Sequence, residues 1–267
     1  MKFFSKIVGT IATVLICLGL VIGAVGLVMG ATRDDFWNAA GRVWDDWGTG
    51  SLSESYQGVT SLDFDLGMAE VVIEEGDTFS IRASQVRFRL TSRVEDGTWK
   101  IDTKGVRYGQ WLGGSRGGDR VTITLPRDFV ADKLQLEVGM GTLRASTLGA
   151  RDRADVKVGM GEVSIDRLSV PRVEVSCGMG AVHLGGVDTQ KADLDCGMGS
   201  IDMTVRGAEE DYGYTLDVGV GDVVIGTQRY SGLGNKSSHN TDAPGRLDVD
   251  CGMGSVTVRF EEAFEKA

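Results

Sequence analysis

Residues 173–184 read VEVSCGMGAVHL. Apolar side chains alternate before the glycines (Val173, Val175, Cys177) and again after them (Val182, Leu184), the period-two pattern of strands with one buried face. The two halves are out of phase, because Met179 to Val182 is an odd step. The chain must therefore bend at Gly178-Met179-Gly180 for both halves to face one core, and glycine tolerates such a corner. On this reading Met179 points inward at the bend.

The same pattern recurs as LDFDLGMAEVVI from Leu62, LQLEVGMGTLRA from Leu134, ADVKVGMGEVSI from Ala154, ADLDCGMGSIDM from Ala192, YTLDVGVGDVVI from Tyr214 and LDVDCGMGSVTV from Leu247. The first glycines of the central copies, Gly139, Gly159, Gly178, Gly197 and Gly219, are spaced 20, 19, 19 and 22 residues apart. A fixed period of this length is the signature of stacked coils. The expected fold is all-β, a parallel β-solenoid of about 20-residue G-x-G coils with a less regular N-terminal β part. Glycine at 39 of 267 residues against only three prolines agrees with a chain that turns often without collagenous or Pro-rich character.

Stacking the coils in chain order aligns Met68, Met140, Met160, Met179, Met198 and Met253, with Val220 in the penultimate copy. A methionine stripe is either a soft binding surface or a flexible filler of an interior, and interior packing is the preferred reading. Cys177, Cys196 and Cys251 stand where other copies carry Leu66, Val138, Val158 and Val218. They read as buried free thiols replacing aliphatic side chains, because in-register parallel neighbours point alike and suit a disulfide poorly. Cys17 lies in an apolar N-terminal run, and a lipid-attachment motif there is disfavoured by the bulky Ile16.

Two stretches break the period. Between Gly67 and Gly139, strand-like runs at Val86–Val94 and Trp99–Thr103 flank Glu95-Asp96-Gly97-Thr98, a hairpin signal, followed by a Gly-rich loop at Gly105–Gly118 and by VTITLP from Val121. Arg229–Gly245 reads as an exposed polar insertion. The C-terminal EEAFEKA reads as a polar cap over the last open edge.

Ahead of the repeats, Ile7–Ala31 carries no charge over 25 residues. At about 1.5 Å per residue this is roughly 37 Å of helix, enough to cross a bilayer. A retained transmembrane helix is preferred over a cleaved signal peptide ending near Val28-Met29-Gly30, whose apolar region would be shorter. Lys2 and Lys6 before the span put residues 1–6 in the cytoplasm and the remainder outside. Gly19/Gly23 and Gly26/Gly30 would let two such helices pair as a homodimer, although glycine is common in membrane helices generally. Residues 32–57 form a juxtamembrane segment with Phe36, Ala40, Val43, Trp44 and Trp47 on one helical face, and 58–267 the extracytoplasmic domain. Beyond residue 6 the chain holds 26 basic and 38 acidic residues, which opposes binding to nucleic acid or anionic lipid.

Catalytic chemistry is poorly represented. Of two histidines, His183 alternates between inward Val182 and Leu184 and so faces outward, and the other is His239. Gly113-Gly114-Ser115-Arg116-Gly117 matches a nucleophile-elbow pattern but lacks the strand-to-helix context that exposes the serine. The repeated Gly-x-Gly lacks the third glycine and following helix of a dinucleotide site. Outward positions form two acidic columns, Asp155, Glu174, Asp193, Asp248 and Glu137, Asp195, Asp217, Asp250, relieved by Lys157. A divalent cation would ease their repulsion, but the calcium-repeat motif is absent and a solvated face is the preferred reading. No catalytic, cofactor-binding or metal-ligating residue and no cofactor is assigned, and an acid-pair hydrolase is the least favoured class.

The order of apolar N-terminal run, LDFDLGMAEVVI, VTITLPRDFVADKLQLEVGMGTL and successive G-x-G strand repeats resembles the bacterial domain-of-unknown-function family 4097, described as "putative adhesins", over about residues 58–260. It also looks like the anchored accessory proteins of Lia-type cell-envelope stress modules, which share that domain. The Cys-Gly-Met-Gly form departs from the family without affecting the fold. The resemblance implies a right-handed β-solenoid at the bacterial envelope and supplies no catalytic residues. The expected function is a non-catalytic, single-pass envelope scaffold whose partner is an envelope protein or glycan. The other reading is a surface adhesin, disfavoured by the short distance between membrane and solenoid.

Overall fold

The computed structural model describes residues 50–86, 88–104, 120–232 and 234–261. These form twenty strands and one 3-10 turn, and among them no helix is long and apolar enough to cross a membrane. The span expected at Ile7–Ala31, the loop Gly105–Gly118 with its serine motif, and all of EEAFEKA beyond Glu261 lie outside the described residues. Within the segment read as juxtamembrane, Gly50–Tyr56 is strand β1.

The first half of the chain gives β2 (Ser61–Leu66), β3 (Glu70–Gly76), β4 (Phe79–Val86), β5 (Arg89–Glu95), β6 (Thr98–Lys104), β7 (Arg120–Pro126) and β8 (Ala131–Val138). The regular coils follow as β9 (Thr142–Val158), β10 (Glu162–Ser169), β11 (Arg172–Cys177), β12 (Ala181–Asp188), β13 (Lys191–Cys196) and β14 (Ser200–Arg206). The last third contains β15 (Tyr212–Val218), β16 (Asp222–Ile225), β17 (Gln228–Ser231), β18 (Asn235–His239), β19 (Gly245–Cys251) and β20 (Ser255–Glu261).

Strands that lead into a glycine corner pair with one another, and strands that leave it pair with one another. The entry sheet runs β5–β6–β2–β8–β9–β11–β13–β19–β15–β18. The exit sheet runs β1–β4–β7–β3–β9–β10–β12–β14–β20–β16–β17. The 17-residue β9 passes from the exit sheet into the entry sheet and joins them. Parallel in-register pairing stacks equivalent residues, so Val163, Val182, Ile201 and Val256 form one fully buried column. Each such aliphatic side chain contributes about 1.5 to 3 kcal/mol through burial, which makes this shared core the main support of the fold.

The glycine corner resolves the phase slip differently from the expectation. Met68 is 36% exposed, Met140, Met160, Met179 and Met198 are 55–56% exposed, and Met253 is 63% exposed. The residue that turns inward is the second glycine. A Cβ on Gly180 would lie 2.2 Å from the Gly161 carbonyl oxygen and 2.7 Å from Val158 Cγ1. Inward positions are therefore Cys177, Gly180 and Val182, and the extra residue of the odd step is the methionine, which is pushed out. The methionine column is a surface feature and not core.

Both ends depart from chain order. β19 and β20, the last repeat in sequence, insert between the β13/β14 coil and the β15/β16 coil, so Val220, not Met253, occupies the terminal rung. At the other end β2 and β3 lie inside the rung made by β6 and β7. Arg229–Gly245 is not a plain exposed loop. It supplies β17 and β18, which pair antiparallel with β16 and β15 and close both sheets. The expected hairpin is present: β5 and β6 pair antiparallel around Asp96 and Gly97, whose φ values of 48° and 74° give the turn that matches strand twist.

Candidate functional site

The outer face of the entry sheet carries its charges in columns, because in-register stacking repeats each outward position from rung to rung. Asp155, Glu174, Asp193 and Asp248 align as expected, as do Glu137, Lys157, Asp195, Asp250 and Asp217, with Ser176 on the intervening rung of the second column. A third column was missed from sequence. Lys133, Arg153, Arg172, Lys191 and Arg246 occupy the same outward parity two residues before the first acidic column. Searching each outward position separately, rather than acidic residues alone, would have revealed it.

The basic column neutralises its acidic neighbour through short pairs. Arg153 Nη2 lies 2.8 Å from Asp155 Oδ2, Lys191 Nζ lies 2.9 Å from Asp193 Oδ1, and Arg246 Nη2 lies 2.9 Å from Asp248 Oδ1. Burial pushes the Asp248 carboxyl upward, but hydrogen bonding and charge from Arg246, joined by Lys191, outweigh this and hold it below the ordinary carboxylate range. The hydrogen bond to Asp193 raises the Lys191 ammonium. Asp155 is buried against the sheet, whereas the Lys191–Asp193 and Arg246–Asp248 pairs are partly exposed and contribute about 0.2 to 1 kcal/mol each, ordering the surface more than they stabilise it.

The second acidic column has less relief. Lys236 on β18 reaches Asp217 at 2.5 Å, but Asp195 and Asp250, on adjacent rungs, have no ion-pair partner among the described residues. They lie in an open trough bounded on one side by Lys236, Ser237 and Ser238. The structure thus places a negative, hydroxyl-bordered trough at the C-terminal end of an otherwise balanced face.

Along the corner between the sheets runs the methionine ridge, with the thiols beneath it. Cys177, Cys196 and Cys251 are buried, free and aligned on three consecutive rungs, as expected. Contact with Cys196 lowers the Cys177 thiol, while the same contact and burial raise Cys196, and burial raises Cys251. His183 is exposed on the exit sheet, with Nδ1 3.5 Å from Asp202, as its alternation implied. His239 lies on β18 with its ring centroid 5.3 Å from that of Tyr214. Among the described residues no group of three or more His, Cys, Asp or Glu is placed to hold a metal ion.

An all-β stack with glycine corners and a charged outer face defines a class of coiled β-strand repeat proteins. The chain belongs to the Toastrack DUF4097 family, whose model matches residues 59–263. No curated protein matches the chain. Among solved structures it is similar to a "putative cell adhesion protein" from Clostridium sporogenes, at 14% identity over 79% of this chain and 99% of that one, with a TM-score of 0.37. A "putative adhesin" from Bacteroides fragilis gives 12% identity, 79% and 98% coverage and a TM-score of 0.44. A "putative lipid binding protein" from Parabacteroides distasonis gives 16%, 79%, 98% and 0.35.

Proposed function

We propose that this chain is a non-catalytic interaction module of the bacterial envelope, held by Ile7–Ala31 with its N-terminus inside and its β-domain outside. The uncharged 25-residue run, preceded by Lys2 and Lys6, supports that placement. The observation that carries the binding role is the register-locked array of charged columns ending in the trough at Asp195 and Asp250. A rigid array with one charged group per rung, about 4.8 Å apart, suits an extended partner with regularly spaced cationic or hydroxyl groups. A scaffold in envelope assembly or stress sensing fits this arrangement. Surface adhesion to a glycan is the alternative, favoured by the hydroxyls of Ser237, Ser238 and Thr215 beside the trough carboxylates.

The test combines topology with capture. Protease added to intact spheroplasts should degrade the β-domain, and crosslinking in intact cells should recover a partner that Asp195→Lys/Asp250→Lys no longer captures. Protection of the domain would remove the proposed topology, and unchanged capture by the double variant would move the binding surface away from the trough.

A further inference from the structure

The methionine ridge has a composition that packing does not explain. Six of the chain's nine methionines occupy it, each more than a third exposed, on six consecutive rungs. The rungs are tied without a gap: Met140 N–H donates to the Gly67 carbonyl at 2.7 Å, Met160 to Gly139 at 2.7 Å, Met179 to Gly159 at 2.8 Å, Met198 to Gly178 at 2.8 Å and Met253 to Gly197 at 2.8 Å. Exposure of 55–63% on five of them removes core filling as the reason for the thioether. An apolar requirement alone is met by other side chains, as Val220 shows at the terminal rung.

What methionine alone supplies at such a position is a soft, uncharged sulfur donor on a flexible stem. Rungs repeat at about 4.8 Å, and metal–sulfur bonds are on the order of 2.3 Å, so flexible thioether stems leaving neighbouring rungs in parallel have the reach to share one ion between them. The nearest outward column on the entry sheet runs Glu137, Lys157, Ser176, Asp195 and Asp250, a net negative charge that favours a cation over an anionic ligand or lipid surface. We propose that the ridge Met68–Met140–Met160–Met179–Met198–Met253 is a binding site for soft monovalent cations, Cu(I) or Ag(I), held by thioethers of adjacent rungs. The site involves no redox step and is independent of the partner proposed above.

Thiols also bind these ions, so the test is made in the full-length chain, in detergent, with Cys17→Ala, Cys177→Val, Cys196→Val and Cys251→Val. Valine already occupies the equivalent corner position at Val138, Val158 and Val218. Titration with Ag(I), followed through carbon-13-labelled methionine methyl groups, should shift the ridge resonances and leave that of Met203, which is fully buried, in place. Adding Met140→Leu, Met179→Leu and Met253→Leu, which leaves no two thioethers on adjacent rungs, should weaken Ag(I) binding by about tenfold or more without lowering Tm. Ridge resonances that stay fixed during titration, or binding that survives the triple leucine change, would overturn the proposal.

Discussion

The middle of the molecule and its two ends solve different problems. From β9 to β14, chain neighbours are spatial neighbours, each coil repeats the last in register apart from a single shift between Leu184 and Gly186, and the buried residues are almost all Val, Leu, Ile, Ala, Cys and Met. At the ends the chain leaves this order, turns antiparallel and packs rings. Trp99 meets Tyr56, Phe64 and Phe79 at centroid distances of 5.2, 5.7 and 6.1 Å, and its indole N–H donates to Ser92 Oγ at 2.9 Å. At the other end Tyr214 and Tyr230 share a hydroxyl contact of 2.7 Å, and the Tyr212 hydroxyl donates to the Thr189 carbonyl at 2.6 Å. A periodic stack leaves unpaired backbone groups at both edges, and something outside the repeat has to end it. The end strands and aromatic clusters are that device.

The sharpest way to break the middle is to fill a corner. Gly180→Val places atoms against the Gly161 backbone, which cannot rotate away, and should cost about 3 kcal/mol or more, read as a large fall in Tm. Met179→Asp, one residue earlier and exposed, should change stability by less than about 0.5 kcal/mol. Equal losses in the two variants would contradict the outward methionine. Next in size, Leu194→Ala removes a central core side chain and should cost about 2 to 5 kcal/mol, whereas Tyr230→Phe at the end loses one hydrogen bond worth about 0.5 to 1.5 kcal/mol. Denaturant midpoints of the pair compare the two regions directly.

How much of this was legible in the sequence follows the same division. Alternation in 173–184 and the 19–22-residue spacing specify strands, corners and register in the centre, because each outward or inward position is repeated often enough to be read. Burial of Cys177, Cys196 and Cys251 followed from their alignment with Val138 and Val158. The orientation of Met179 did not, since a bend with an odd step has two solutions and only backbone crowding at Gly180 selects one. The insertion of β19/β20 beneath β15/β16 was also illegible, because rung order depends on long-range pairing that leaves no periodic trace. The trough shares that limitation: Lys236 reaches Asp217 only because β18 folds back along β15.

Smaller effects sharpen the account of the ends and the surface. Replacing 228–239 by a flexible Gly-Ser linker of equal length would uncover the edges of β15 and β16. The variant should then self-associate in a concentration-dependent way in sedimentation, while the central strands keep their amide protection. A monomeric variant would show that these strands are not edge covers.

The smallest effect concerns Asp248. Its folded-state value lies below the ordinary 3.8, so its stabilising contribution is present above that value and is lost as pH falls through the folded value. Because the side chain is a third exposed, Asp248→Asn should cost under about 1 kcal/mol at neutral pH. The difference from the parent should vanish in acid, as pH-dependent denaturation would record.

Rung order fixes how both ends of the stack are closed. Nuclear Overhauser contacts between methyl groups of Leu194, Leu216 and Val249, selectively labelled in the full-length chain, report it directly. The structure places Val249 between the other two, so Val249 should show contacts to Leu194 and to Leu216, with none joining Leu194 to Leu216. A direct Leu194–Leu216 contact, with Val249 touching only one of them, is the outcome of simple chain-order stacking and would contradict the account.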